Sequence, residues 1–179
     1  AITTFGPVSG AHLNPAVTLV DRWFGGVTTR EAVAYVVAQV LGAIGGVIVA
    51  NLMFDLDAIV WSTTAREGSH LWFAEIVATA GLVLVIFGVV RSGRTDAVPY
   101  VVGAFIAGAF FFTSSTSFAN PAVTIGRMLS DTFAGIDPSS VAPFLLAELA
   151  GAGVAYGAVR ALFPDAAEIA GDVVVPHDS

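Results

Sequence analysis

Long apolar runs dominate this chain and set its elements. A bilayer-crossing helix takes about 20 mostly apolar residues. Four stretches meet that length: Arg30 to Phe54, Leu71 to Val90, Val98 to Ser117 and Val141 to Phe163. Two shorter segments, Asn14 to Phe24 and Asn120 to Leu129, are too short to span. Each opens on Asn-Pro, where Asn caps orphan N–H groups and Pro fits the first helical position with its φ already set. They read as re-entrant half-helices, tolerated in a membrane only where the loop is buried in protein or lines a wet cavity. The pattern predicts an all-α membrane protein with four full transmembrane helices and two half-helices.

The two half-helices belong to an internal repeat. Asn14-Pro15-Ala16-Val17-Thr18 recurs letter for letter as Asn120-Pro121-Ala122-Val123-Thr124, 106 residues on. Ala38-Gln39-Val40-Leu41-Gly42-Ala43 aligns with Ala147-Glu148-Leu149-Ala150-Gly151-Ala152 at an offset of 109. A half-helix followed by a span therefore occurs twice, and the second copy is preceded by two spans. The sequence as given starts at Ala1, so the pattern implies two further spans ahead of it and a six-span parent. Residues 1–163 read as one membrane domain, with the end of repeat one at 1–54 and repeat two at 70–163. Residues 164–179 are acidic and weakly patterned, and are expected to be a disordered cytoplasmic tail. With three spans between them, the half-helices enter from opposite faces. Arg22, Arg30, Arg91, Arg94 and Arg160 then share one side, and Arg66 and Arg127 the other. The five-arginine side is assigned to the cytoplasm.

Composition narrows the chemistry. Hydrophobic residues make up 56% and charged residues 12%, against about 25% charged in a soluble domain. The net charge is −7, with no lysine and no basic stripe, so a nucleic-acid partner is excluded. Cysteine is absent, which removes disulfides, thiolate nucleophiles and Cys-based metal sites. No histidines and carboxylates stand at metal-ligand spacing, so neither a metal nor a cofactor is expected. Small residues four apart, Gly42 with Gly46, Ala104 with Gly108 and Gly153 with Gly157, permit close helix crossings in lipid. His12 reads as a hydrogen-bonded packing residue, and His70 and His177 as interface and tail residues.

Ser9-Gly10-Ala11-His12-Leu13-Asn14-Pro15-Ala16-Val17-Thr18 resembles the first signature of the aquaporin, or major intrinsic protein, family, and Phe118-Ala119-Asn120-Pro121-Ala122 resembles the second. The resemblance covers Thr4 to about Phe163. It implies an hourglass channel of inverted repeats, assembled as a homotetramer in the cell membrane, passing water or small uncharged solutes. Physics points the same way. Two helix N-termini meeting at mid-membrane place positive dipole ends there. With an amide N–H from Asn14 and from Asn120, they orient a passing hydroxyl oxygen and repel cations. The resemblance also implies a hydrogen-bond-accepting, structural role for the intramembrane Glu75. Gln39 and Glu148 occupy matching repeat positions, Glu148 packing near Arg160 or polar backbone.

One departure matters most. An arginine follows the second Asn-Pro-Ala in most members, and here Val123 stands there. With Gly108, twelve residues before Asn120, and Ser117, three before it, this implies a wide, weakly polar selectivity filter. The fourth filter residue would lie on the second missing span. Such a filter suits glycerol, urea or neutral arsenous acid, and looks most like a bacterial branch that accompanies arsenic resistance. Arg127 lies one turn beyond Val123, on the same face. It is expected to snorkel to the outer interface, with a reach back to the outer mouth as the alternative. A water-selective pore, a secondary transporter and a membrane enzyme are the competing functions. The last lacks a nucleophile and base at useful spacing. Without its first two spans the 179-residue chain is expected not to conduct.

Overall fold

A computed structural model of the chain describes residues 1–168, 170 and 173. Among these, every regular element is helical. The order is α1 (Ile2–Ser9), α2 (Pro15–Phe24), α3 (Thr29–Met53), α4 (Ser69–Arg91), a 3-10 turn (Thr95–Ala97), α5 (Val98–Phe112), α6 (Pro121–Arg127) and α7 (Pro138–Leu162). Four of these segments are long and apolar enough to cross a membrane: Thr29–Met53, Ser69–Arg91, Thr95–Phe112 and Pro138–Leu162. At 1.5 Å per residue the 25-residue α3 and α7 are each about 37 Å long.

The helix ends follow local chemistry. Thr28 caps α3 in a full capping box: its hydroxyl accepts the Glu31 N–H while the Glu31 carboxylate accepts the Thr28 N–H at 2.7 Å. Asp137 caps α7 through Ser139 N, with Pro138 at the first helical position, so the helix starts three residues before the apolar run. The third span ends early. Thr113 is extended, and Thr116 and Ser117 have φ of 65° and 50°. The Thr113 to Ser117 run therefore leaves the helix and turns back toward the second half-helix. Helix α1 was not expected, because Gly6 and Pro7 interrupt its pattern.

Helix α4 is the central post. Val83 and Phe87 are fully buried on it, packed with Val20 of α2 and Ala152 and Val159 of α7. Helices α4 and α7 meet at Gly151, where a Cβ would stand 2.7 Å from the Ile76 carbonyl oxygen. Helices α3 and α6 meet at Gly126, where a Cβ would lie 3.1 Å from the Ala43 carbonyl oxygen. Among the described residues, the glycines of the small-residue pairs picked from spacing do not make such contacts. Positions 42, 46, 153 and 157 face open space, and a Cβ at Gly108 would meet only the Phe112 ring. Spacing revealed the small faces but not which of them a neighbour occupies.

The outer face of α3 carries exposed Val33, Val37, Leu41 and Leu52, a surface suited to lipid. Beyond α7, Pro164 to Glu168 forms turns, and Ala166 packs into the main core. The first residues of the expected tail thus form turns against the core. An Arg91–Asp165 ion pair at 2.8 Å adds a partly exposed tie to this stretch, of a kind that contributes little to stability. His177 and most of the expected tail lie outside the described residues.

Candidate solute pathway

Asn14 and Asn120 are extended residues that cap α2 and α6. The Asn14 Oδ1 accepts the Ala16 N–H at 2.9 Å, and the Asn120 Oδ1 accepts the Ala122 and Val123 N–H groups at 3.0 and 3.4 Å. Each side-chain amide also reaches across to the other copy. Asn14 Nδ2 donates to the Ala119 carbonyl at 2.6 Å, and Asn120 Nδ2 donates to the Leu13 carbonyl at 2.9 Å. The two half-helices thus meet N-terminus to N-terminus, clasped by a reciprocal pair of bonds. An amide NH2 carries two donors, so each asparagine keeps one N–H for a third partner. Both line one cavity of about 150 Å³ with apolar walls from Val17, Leu82, Ile86, Val102 and Ile106. Pro15, Ala16, Pro121 and Ala122 are buried behind the asparagines.

The shells around the two motifs are related but not identical. In the first, Gln39 Nε2 donates to the His12 carbonyl at 2.7 Å and to Thr18 Oγ1 at 3.0 Å. The His12 ring meets the Thr18 hydroxyl at 3.1 Å and lies 3.6 Å from Asp21. Asp21 is fully buried and was not singled out from sequence, since a lone Asp on a short helix gives no signal. In the second, Glu148 accepts the Asn120 N–H at 3.0 Å and the Thr124 hydroxyl at 2.7 Å. Its partners are polar backbone and a hydroxyl, not Arg160. Glu75, also fully buried, accepts the Phe118 and Ala119 N–H groups at 2.9 and 2.7 Å. Two carboxylates therefore grip three successive N–H groups, 118 to 120. That grip holds Ser117 and Ala119 at φ of 50° and 46°, a left-handed region that costs a non-glycine residue about 1–3 kcal/mol.

The three expected filter residues are not gathered in any one of the cavities described here. Ser117 is buried and Gly108 is exposed. Val123 is half-buried and lines a separate cavity of about 500 Å³ with Tyr35, Gln39, Gly42 and Ala43. None of the cavities described here is lined by more than one of the three. Arg127 does not snorkel. Its guanidinium folds inward, with Cζ 4.3 Å from the centre of the Phe118 ring, and its Nη1 is buried without a partner among the described residues. Arg66, read from sequence only as a marker of the outer side, is 8% exposed and lies over the same ring at 4.7 Å. No group of three or more candidate metal ligands occurs among the described residues.

Comparison with known proteins fits this geometry. The family described as Major intrinsic protein matches residues 1–118. The chain is 48% identical over 168 residues to the aquaglyceroporin AqpS of Rhizobium meliloti (strain 1021), covering 94% of this chain and 72% of that protein. It is 32% identical to a probable NIP-type aquaporin of Nicotiana alata, covering 89% and 61%, and 32% identical to the aquaporin AqpM of Methanothermobacter marburgensis, covering 75% and 60%. The chain thus spans 60–72% of the length of these relatives. With two facing Asn-Pro-Ala half-helices among membrane-length helices, the chain belongs to the major intrinsic protein family, whose members are multi-pass membrane channels for small solutes rather than enzymes.

Proposed function

We propose that this chain forms most of a passive channel for small uncharged solutes, with glycerol, neutral arsenous acid and water as its cargo. The carrying observation is the reciprocal clasp of Asn14 and Asn120. It leaves two amide donors and two helix N-termini aimed at one point, and the cavity they line holds no carboxylate, lysine or arginine side chain. Such a point attracts a hydroxyl oxygen and repels a cation. A transporter would add a coupling-ion site, which the lining of that cavity does not offer. The relative named as an aquaglyceroporin supports a cargo wider than water.

The filter reading rests on Val123 standing where a family arginine is expected, with Gly108 and Ser117 as the other small positions. A channel in a homotetramer, one pore per subunit, is the assembly that accompanies this reading. The inward fold of Arg127 favours a second reading, a narrower and water-selective outer mouth in which that guanidinium stands in for the missing one.

Stopped-flow light scattering on liposomes holding the full-length protein separates the two. Fast glycerol and arsenous acid entry that Val123→Arg suppresses is the expected result. Fast water flux with no solute entry in the unaltered protein, restored to solutes by Arg127→Ala, would replace the wide filter with the narrow one.

A further inference from the structure

We infer that Arg66 is a specificity-determining positioning residue, holding the outer end of the pathway in register by tying the chain before the second half-helix to the chain after it. The inference rests on the channel reading above.

The outer loop, residues 54–68, is laced onto the segment that follows α6. Val60 N donates to the Leu129 carbonyl at 3.1 Å, Ser62 N to Met128 at 2.9 Å, and Asp137 N to Thr64 at 2.8 Å. The Asp131 carboxylate accepts both the N–H and the hydroxyl of Thr63, at 2.9 and 3.1 Å. Arg66 is the point where this lacing reaches inward. Its Nε donates to the Gly135 carbonyl at 2.8 Å and its Nη2 to Phe133 at 2.9 Å, both after α6. Its Nη1 donates to the Ser115 carbonyl at 3.2 Å, before α6. One planar fork therefore spans the two strands of chain that bracket the half-helix, a geometry that an ammonium on a flexible stem does not reproduce. The Arg66 N–H is itself held by the Ser140 hydroxyl at 3.0 Å, which anchors the fork to α7.

The Ser115 end of this tie bears on selectivity. Thr116 and Ser117 both sit at positive φ. Non-glycine residues stay there only where their surroundings over-determine them. Below Ser117 the two glutamates fix the N–H groups of 118 to 120. Above it, Arg66 fixes the carbonyl of 115, and the Ser115 hydroxyl accepts the Ser117 N–H at 3.2 Å. Ser117, the smallest proposed filter side chain after glycine, therefore lies between residues that are held on each side of it. No carboxylate pairs with Arg66 among the described residues. Its charge is spent on carbonyl dipoles and on the Phe118 ring, which also receives Arg127. A cation without a carboxylate partner is costly to bury. A loop needing only mechanical attachment is already laced, without a cation, by the bonds at Val60, Ser62 and Thr63. The added guanidinium is explained by the need to hold several carbonyls at once.

The test measures glycerol and xylitol permeability of the full-length protein in liposomes, for the natural sequence, Arg66→Gln and Arg66→Lys. Each value is divided by the amount of folded protein found by size exclusion. The expected result is a severalfold change in the xylitol-to-glycerol ratio in Arg66→Gln and a smaller change in the same direction in Arg66→Lys. A role in folding alone would lower the recovered protein and leave the ratio unmoved. An unchanged ratio in folded Arg66→Gln overturns the inference, and so does an unchanged ratio in Arg66→Lys should the glutamine variant not fold. If the natural protein passes neither glycerol nor, in a parallel osmotic-shrinkage control, water, the channel reading fails instead, and the two failures are told apart by that control.

Discussion

Glu75 and Glu148 hold the same short stretch of backbone, yet one substitution should affect them differently. Glu75 uses both carboxylate oxygens, one each for Phe118 and Ala119. An amide in its place would turn an NH2 group toward a backbone N–H, leaving a buried donor unpaired. Glu75→Gln should lose about 1–3 kcal/mol. Glu148 uses Oε1 for both its bonds, and its Oε2 is without a partner among the described residues. Glu148→Gln keeps the accepting oxygen and should lose less, whereas Glu148→Leu abandons the Asn120 N–H and should behave like Glu75→Gln. Thermal unfolding of the three variants in detergent checks this ranking. Equal losses for the two glutamine variants would mean that Glu148 Oε2 has a partner after all. At this scale the sequence was readable where the chemistry is local. Asn-Pro announces a cap because its acceptor and the N–H groups it serves are two and three residues apart. The partners of Glu148 lie 28 and 24 residues away, and those of the Arg66 side chain as far as 69, so neither could be read from spacing.

Helices were legible from hydropathy, while their contacts were not. The spans were found within a few residues because a membrane demands length and apolarity from each one. What a periodic pattern omits is azimuth. Gly153 and Gly151 are two residues apart on α7, about 160° around the helix from one another, given 3.6 residues per turn. Gly151 meets Ile76 and Thr79 of α4, and Gly153 meets nothing. Gly151→Val should therefore drive α4 and α7 apart and sharply lower the yield of folded protein, since overpacking a close contact costs about 1–3 kcal/mol or more. Gly153→Val and Gly157→Val should fold as the natural protein does. Fluorescence-detected size exclusion of the three variants makes the comparison. If Gly153→Val were the damaging one, its face would be occupied by something beyond the described residues, a further span of the parent or another copy in the proposed homotetramer.

The two repeats make one object only if they insert in opposite senses. Three spans, α3, α4 and α5, separate α2 from α6. The loop holding Asp57 and the turn holding Ser92 must then lie on opposite sides of the membrane. By the positive-inside rule the Ser92 side, with five arginines, is the expected cytoplasmic side. The chain has no cysteine, so single-cysteine variants report position without background. Asp57 and Ser92 are both exposed and outside the membrane-length helices. Asp57→Cys should react with a membrane-impermeant maleimide in intact spheroplasts. Ser92→Cys should react only after permeabilisation. Labelling of both from outside would break the inverted repeat, because an even number of crossings would then lie between them. Labelling of Ser92→Cys alone would keep the repeat and reverse the molecule, turning the Arg66 and Arg127 mouth toward the cytoplasm. In the first pattern a solute entering the cell meets the Arg66 and Arg127 mouth first, and in the reversed molecule it meets that mouth last. The orientation experiment therefore decides whether the outer-mouth assignments at the residue scale concern entry or exit.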